Sequence, residues 1–123
     1  MSRKQGQHYE KIAAEYLVKQ GLKLLTTNYQ VYRGELDLVL LDNQVLVFAE
    51  VKYRKHSTFG SAAEMVNFKK QKHLAIAASV FLKANPSHTN RACRFDVVAM
   101  SGDPKEFQGD LKIDWIKNAF LIT

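Results

Sequence analysis

A chain of 123 residues with ordinary apolar and charged fractions builds one core, and no internal repeat or low-complexity tract argues against a single domain over 1–123. The net charge of +6 favours a polyanionic partner, and a single cysteine, Cys93, excludes an intramolecular disulfide and leaves no thiolate cluster for zinc or iron. No apolar run follows the basic residues of MSRKQGQHYEK, and LVLL and VLVFA are too short to span a bilayer, so a cytoplasmic protein with no membrane partner is expected.

In QHYEKIAAEYLVKQG, Tyr9, Ile12, Ala13, Tyr16 and Leu17 recur at helical spacing, and Gly21 offers the left-handed position that ends a helix. Glu10 falls at the rim of the apolar face and Glu15 points away from it. LKLLTTNYQVYR, rich in branched and aromatic residues, predicts a strand or a bent strand pair with Asn28 as a bulge or break. Residues 33–54, RGELDLVLLDNQVLVFAEVKYR, then read as a hairpin, and KHSTFGSA as a loop.

Ser61 and Glu64 have capping-box spacing and predict a second helix running to about Lys83, where Asn85 and Pro86 stop it. Its inward stripe collects Val66, Leu74, Ala77 and Phe81, with Lys70 and His73 on the same stripe. RACRFDVVAM is a strand, SGDPKEFQGD a loop, and LKIDWIK a last strand before a short NAF tail. Helix, three strands, helix, two strands predicts the α/β class, with helices packed on a mixed sheet.

The hairpin carries charges among apolar neighbours. Alternation puts Glu35 and Asp37 on one face of the first strand, and Glu50, Lys52 and Arg54 on one face of the second. A two-residue Asn43-Gln44 loop, or a four-residue loop on the same centre, sets Asp42 opposite Val45, Asp37 opposite Glu50 and Glu35 opposite Lys52. A three-residue loop puts the acids on opposite faces. In the even register two carboxylates meet with β-carbons about 5 Å apart, and their repulsion is relieved by a divalent cation. Two carboxylates with waters and a substrate phosphate suit Mg2+, with Mn2+ as a substitute.

Such an ion at Asp37 and Glu50 would polarise a phosphodiester, with Lys52 orienting the attacking water or offsetting charge on phosphorus. Glu10 and Glu35 are candidates for further metal ligands. The plain alternative makes Glu35 and Lys52 a cross-strand ion pair and Asp37 and Glu50 solvated strand-end acids. That alternative leaves charges among LVLL and VLVFA without partners, which is costly.

Gly-Glu-Leu-Asp followed by Glu-Val-Lys resembles the PD-(D/E)xK nuclease superfamily. Nearly the whole chain resembles the YraN-type family of small bacterial proteins, through Gly6 and Glu10, NYQVYRGELDLV, LVFAEVKYR, FGSAAE, KKQKHL, RFDVV and IKNAF. Tyr9 departs from the pattern, where a glycine is expected. The resemblance implies a restriction-endonuclease-like fold with a five-stranded mixed sheet, akin to archaeal Holliday junction resolvases, and DNA as the polymer. It assigns Asp37 and Glu50 as metal ligands, Lys52 as the catalytic lysine, Glu10 as an auxiliary helix acid, and Lys70-Gln71 as the family's KQ step, with Lys70 contacting phosphate.

Arg33, Arg54 and Lys55 flank the acids as candidate nucleic-acid contacts, with Tyr32 and Tyr53 among them as candidate base-stacking residues. Arg94 and Asp96 share a strand face and read as a structural pair, and Cys93 as a small buried apolar residue. The expected function is a metal-dependent nuclease acting on branched or damaged DNA, in which pairing of two copies as a homodimer would allow paired cuts. A non-catalytic nucleic-acid-binding module and a protein-interaction subunit with a purely structural acid cluster are the alternatives.

Overall fold

The computed structural model describes residues 3–55, 65–102 and 111–121. In chain order it has helix α1 (Arg3–Lys19), strands β1 (Lys23–Val31), β2 (Gly34–Asp42) and β3 (Val45–Arg54), helix α2 (Phe68–Ala84), a 3-10 turn (Pro86–His88), and strands β4 (Cys93–Ser101) and β5 (Lys112–Phe120). Among the described residues one sheet runs in the order β1-β2-β3-β4-β5, antiparallel throughout except for the parallel β3–β4 pair. A parallel pair needs a crossover, and α2 lies within it. This is the α/β mixed sheet that the sequence predicts.

The two helices cover opposite faces. Tyr9, Ala13 and Leu17 of α1 pack on Leu38, Leu40, Val47 and Val98, whereas Leu74, Ala77 and Phe81 of α2 pack on Val39, Phe48 and Val97. Both faces of β2 and β3 are therefore buried, which explains why these strands read as near-continuous apolar runs. No helix among the described residues is long and apolar enough to cross a membrane.

Gly21, at φ 102°, ends α1 as expected: its amide bonds Val18 and that of Leu22 reaches back to Leu17, with both leucine side chains buried. Helix α2 begins later than predicted. Its N-cap is Asn67, whose side chain accepts from the Lys70 amide at 2.9 Å, while the Ser61–Glu64 capping box and most of the KHSTFGSA loop lie outside the described residues. Its end, at Ala84 before Asn85, is as predicted. Residues 103–110 of the SGDPKEFQGD loop also lie outside the description, whereas Ser101 belongs to β4.

The NAF segment is part of β5 rather than a tail. Asn118 takes φ 51°, and its amide donates to Asp96 Oδ1 at 2.9 Å, so the ladder shifts register there and continues to Phe120. Arg94 and Asp96 form the expected structural pair at 3.0 Å; Asp96, fully buried, also accepts from the Trp115 indole, and Arg94 reaches Asp42 at 2.8 Å. Cys93 is not buried: it is the first residue of β4 and is exposed.

Candidate metal centre

The hairpin turn sets the register. Asp42 pairs with Val45 across a two-residue Asn43-Gln44 turn in which Asn43 takes the left-handed φ of 54°. This is the even loop, and the acids follow from it. The β2–β3 ladder then runs to Leu38–Ala49 and stops one step short of Asp37 and Glu50. There Asp37 turns its side chain into the sheet: Oδ2 accepts the Val51 amide at 2.9 Å, fixing the carboxylate beside Glu50.

Strict alternation fails at the same point. Leu38 and Leu40 pack on the α1 side, yet Leu36 packs on the α2 side with Val39, as does Tyr29, its partner across β1. The residues between these pairs are Asp37 and, opposite it in register, Asn28, whose φ is 52°. Two neighbouring strands therefore turn over together at Asn28 and Asp37. Asn28 is an irregularity as predicted, but the register shift of β1 lies between Leu24 and Thr26. Glu35 is not paired with Lys52, because the β2–β3 ladder has already ended; it pairs with Gln30 of β1.

The result is a cavity of about 330 Å³ between the start of α1 and the open ends of β2 and β3, lined by Glu10, Asn28, Glu35, Asp37, Glu50, Lys52 and Arg54 among others. One carboxylate oxygen from each of Glu10, Glu35 and Asp37 lies within 4.8 Å of the others. Glu50 adds a fourth acid. It is 5 % exposed, and its Oε2 is buried without a hydrogen-bond partner among the described residues, while Oε1 has Lys70 Nζ at 3.8 Å and Lys52 Nζ at 4.0 Å.

Burial, followed by the charge of Asp37, pushes the Glu50 carboxyl up to about 8, with Lys70 and Lys52 pulling the other way. Glu10 is likewise pushed up to about 8, by burial first and then by Asp37 and Glu35. Acids this crowded either retain protons or take up a cation. The donor set is all oxygen, and an orphaned buried carboxylate oxygen is a ready ligand, so the residues fit a hard divalent ion such as Mg2+ or Mn2+.

The other expected site residues divide. Arg54 lines the cavity, half-buried Lys70 reaches Glu50 from α2, and Arg33 lies outside the cavity lining at the exposed β1–β2 turn, with its guanidinium 5.4 Å from the Tyr32 ring centre. Gln71 faces elsewhere: its amide donates to the Val66 carbonyl at 2.9 Å and holds the chain leading into α2. Tyr53 stacks on Tyr9 at 3.9 Å between ring centres, and its hydroxyl donates to the Gly102 carbonyl, so it is packing and not a stacking platform. Asn28 was missed as a site residue, because a neutral amide within a strand gives no charge signal.

The matches to known proteins cover this whole arrangement. Residues 9–100 match the family described as "Uncharacterised protein family UPF0102". A UPF0102 protein of Pseudomonas putida strain GB-1 is 48% identical over 115 residues, 94% of this chain and 91% of that protein. The chain belongs to the UPF0102 family. Another UPF0102 protein, from Pseudomonas syringae pv. syringae strain B728a, is 45% identical over 115 residues with the same coverage, and one from Alcanivorax borkumensis is 44% identical over 115 residues, 94% of this chain and 90% of that protein. The UPF0102 match includes Glu10, Asn28, Glu35, Asp37, Glu50, Lys52 and Lys70, and agrees with the YraN-type resemblance.

Proposed function

We propose that this UPF0102 protein is a magnesium-dependent nuclease that hydrolyses phosphodiester bonds in DNA, with branched or damaged DNA as its preferred form. The observation that carries this reading is the Glu50 carboxylate, buried beside Asp37 with one oxygen unpartnered among the described residues and two lysines within 4.0 Å of the other. A structural acid would be paired or solvated, and this one is neither fully paired nor exposed. The resemblance of Gly-Glu-Leu-Asp and Glu-Val-Lys to the PD-(D/E)xK nucleases supports the same chemistry.

Asp37 and Glu50 would hold the ion, with Glu10 and Glu35 completing or steadying its shell. A bound Mg2+ or Mn2+ supplies Lewis acidity toward the phosphodiester and a water of lowered pKa. The protein's own groups do the remainder. Lys52, half-buried at the cavity wall, places an ammonium group where it orients the attacking water and offsets charge developing on phosphorus. Lys70 brings a second ammonium group from α2 and holds a substrate phosphate, while Arg54 at the rim and Arg33 at the neighbouring turn engage the flanking backbone.

Purified protein incubated with linear duplex, single-stranded and four-way-junction DNA should cut at least one of them in Mg2+ or Mn2+. Asp37→Asn and Lys52→Ala should each lower the rate by about 10²-fold or more. Salt-sensitive binding with no cutting of any substrate would replace this reading with the binding-module alternative.

A further inference from the structure

Asn28 has no place in the chemistry described so far, yet the fold goes to some length to aim it. It takes a left-handed φ of 52° within a strand, opposite Asp37, at the point where β1 and β2 turn over. Asparagine tolerates that conformation better than most residues with a side chain. With its amide nitrogen turned inward, Nδ2 lies 2.7 Å from Glu35 Oε1 and 3.0 Å from each oxygen of Glu10. The end of the amide thus sits among three carboxylate oxygens, beside a cavity that also holds the orphaned oxygen of Glu50.

We propose that Asn28 is an exchangeable member of the metal centre: it donates to Glu10 and Glu35 when no cation is bound, and turns its Oδ1 toward the cation when one is. This rests on the metal-dependent reading above and adds to it a residue. An amide nitrogen facing three acceptors neutralises part of their repulsion, whereas the same nitrogen facing a cation would repel it. Turning the amide exchanges donor for acceptor without moving the backbone. The shell then gains a neutral oxygen beside Glu10, Glu35 and Asp37, and an all-oxygen shell favours Mg2+ and Mn2+ over thiophilic ions.

Two substitutions separate the parts of this proposal while suiting the left-handed backbone: Asn28→Gly removes the amide, and Asn28→Asp keeps oxygen but cannot donate when ionised. Titration calorimetry with MnCl2 at pH 8, with melting temperature followed against added Mn2+, reads binding without any substrate. Asn28→Gly should bind Mn2+ about 10- to 100-fold more weakly than the wild type, whereas Asn28→Asp should stay within about threefold of it. Melting in the absence of metal should show Asn28→Asp less stable than the wild type, through the added carboxylate. Wild-type affinity in Asn28→Gly would overturn the proposal while leaving the metal site intact. Equal losses in Asn28→Gly and Asn28→Asp would overturn it too, since only the donor would then matter. No Mn2+ binding by the wild type would remove the metal-dependent reading itself. Should Asn28→Asp fail to fold, Asn28→Gly against the wild type still decides whether the amide contributes to binding.

Discussion

Glu50 is buried, with Lys70 and Lys52 offsetting its charge among the described residues, and its behaviour with pH follows from that position. Its carboxyl and that of Glu10 are raised from 4.5 to about 8, so the folded protein keeps protons that the unfolded chain has released across that interval. Stability from these two groups is therefore complete below about pH 4.5 and falls as pH rises toward 8. Metal-free protein should melt at progressively lower temperature as pH rises from 5 to 8, and Mg2+ or Mn2+ should recover the loss at pH 8. Glu50→Gln should flatten this profile and, without metal at pH 8, raise stability by about 1–2 kcal/mol, the gain typical of relieving a strained functional group. The same variant should lose most of the metal-induced rise. A wild-type melting temperature independent of both pH and metal would contradict the assignment. Asp37, Glu50 and Lys52 were legible in the sequence because charges flanked by LVLL and VLVFA stand out. Asn28 was not, because its role depends on a left-handed backbone and a change of face that no alternating pattern signals.

At the scale of elements, chain ends and the hairpin were readable where a residue type dictates local geometry. Gly21 closes α1, Asn85 closes α2, and the even turn at Asn43-Gln44 brings the acids to one end of the sheet. The helix over 68–84 takes its cap from Asn67, a short polar side chain that accepts the Lys70 amide, while the Ser61–Glu64 capping box lies outside the described residues. The extent of β5 was misread because its continuation depends on Asp96, distant in sequence, accepting the Asn118 amide. Gly34 at the start of β2 marks a close approach: a β-carbon there would lie 3.2 Å from the His73 carbonyl oxygen of α2. Backbone cannot yield as a flexible side chain does, so Gly34→Val should push β2 and α2 apart and cost about 1–3 kcal/mol, read as a lower denaturant midpoint. Because Lys70 stands one turn before His73, the same substitution should weaken phosphate engagement even where the protein remains folded. An unchanged midpoint would show that the contact is slack.

At the scale of the molecule, a sheet with α1 on one face and α2 on the other leaves the ends of β2 and β3 as the place where its two sides meet, and Glu10, Glu35, Asp37 and Glu50 line the cavity there. Cations stand around that end. Arg33 at the β1–β2 turn, Arg54 at the end of β3 and Lys70 on α2 come from three separate elements. If they track a DNA backbone, each phosphate they neutralise releases counterion, and the logarithm of affinity falls with the logarithm of salt by about 0.9 per contact. Binding of a four-way junction, measured from 50 to 200 mM NaCl with Ca2+ in place of Mg2+ to suppress cutting, should therefore be strongly salt-dependent. Lys70→Ala, Arg33→Ala and Arg54→Ala should each reduce the slope by about 1. Gln71→Ala should leave the slope unchanged, because its amide is engaged with the Val66 carbonyl and carries no charge. Equal slopes in the wild type and all three cation variants would sink the backbone-tracking role.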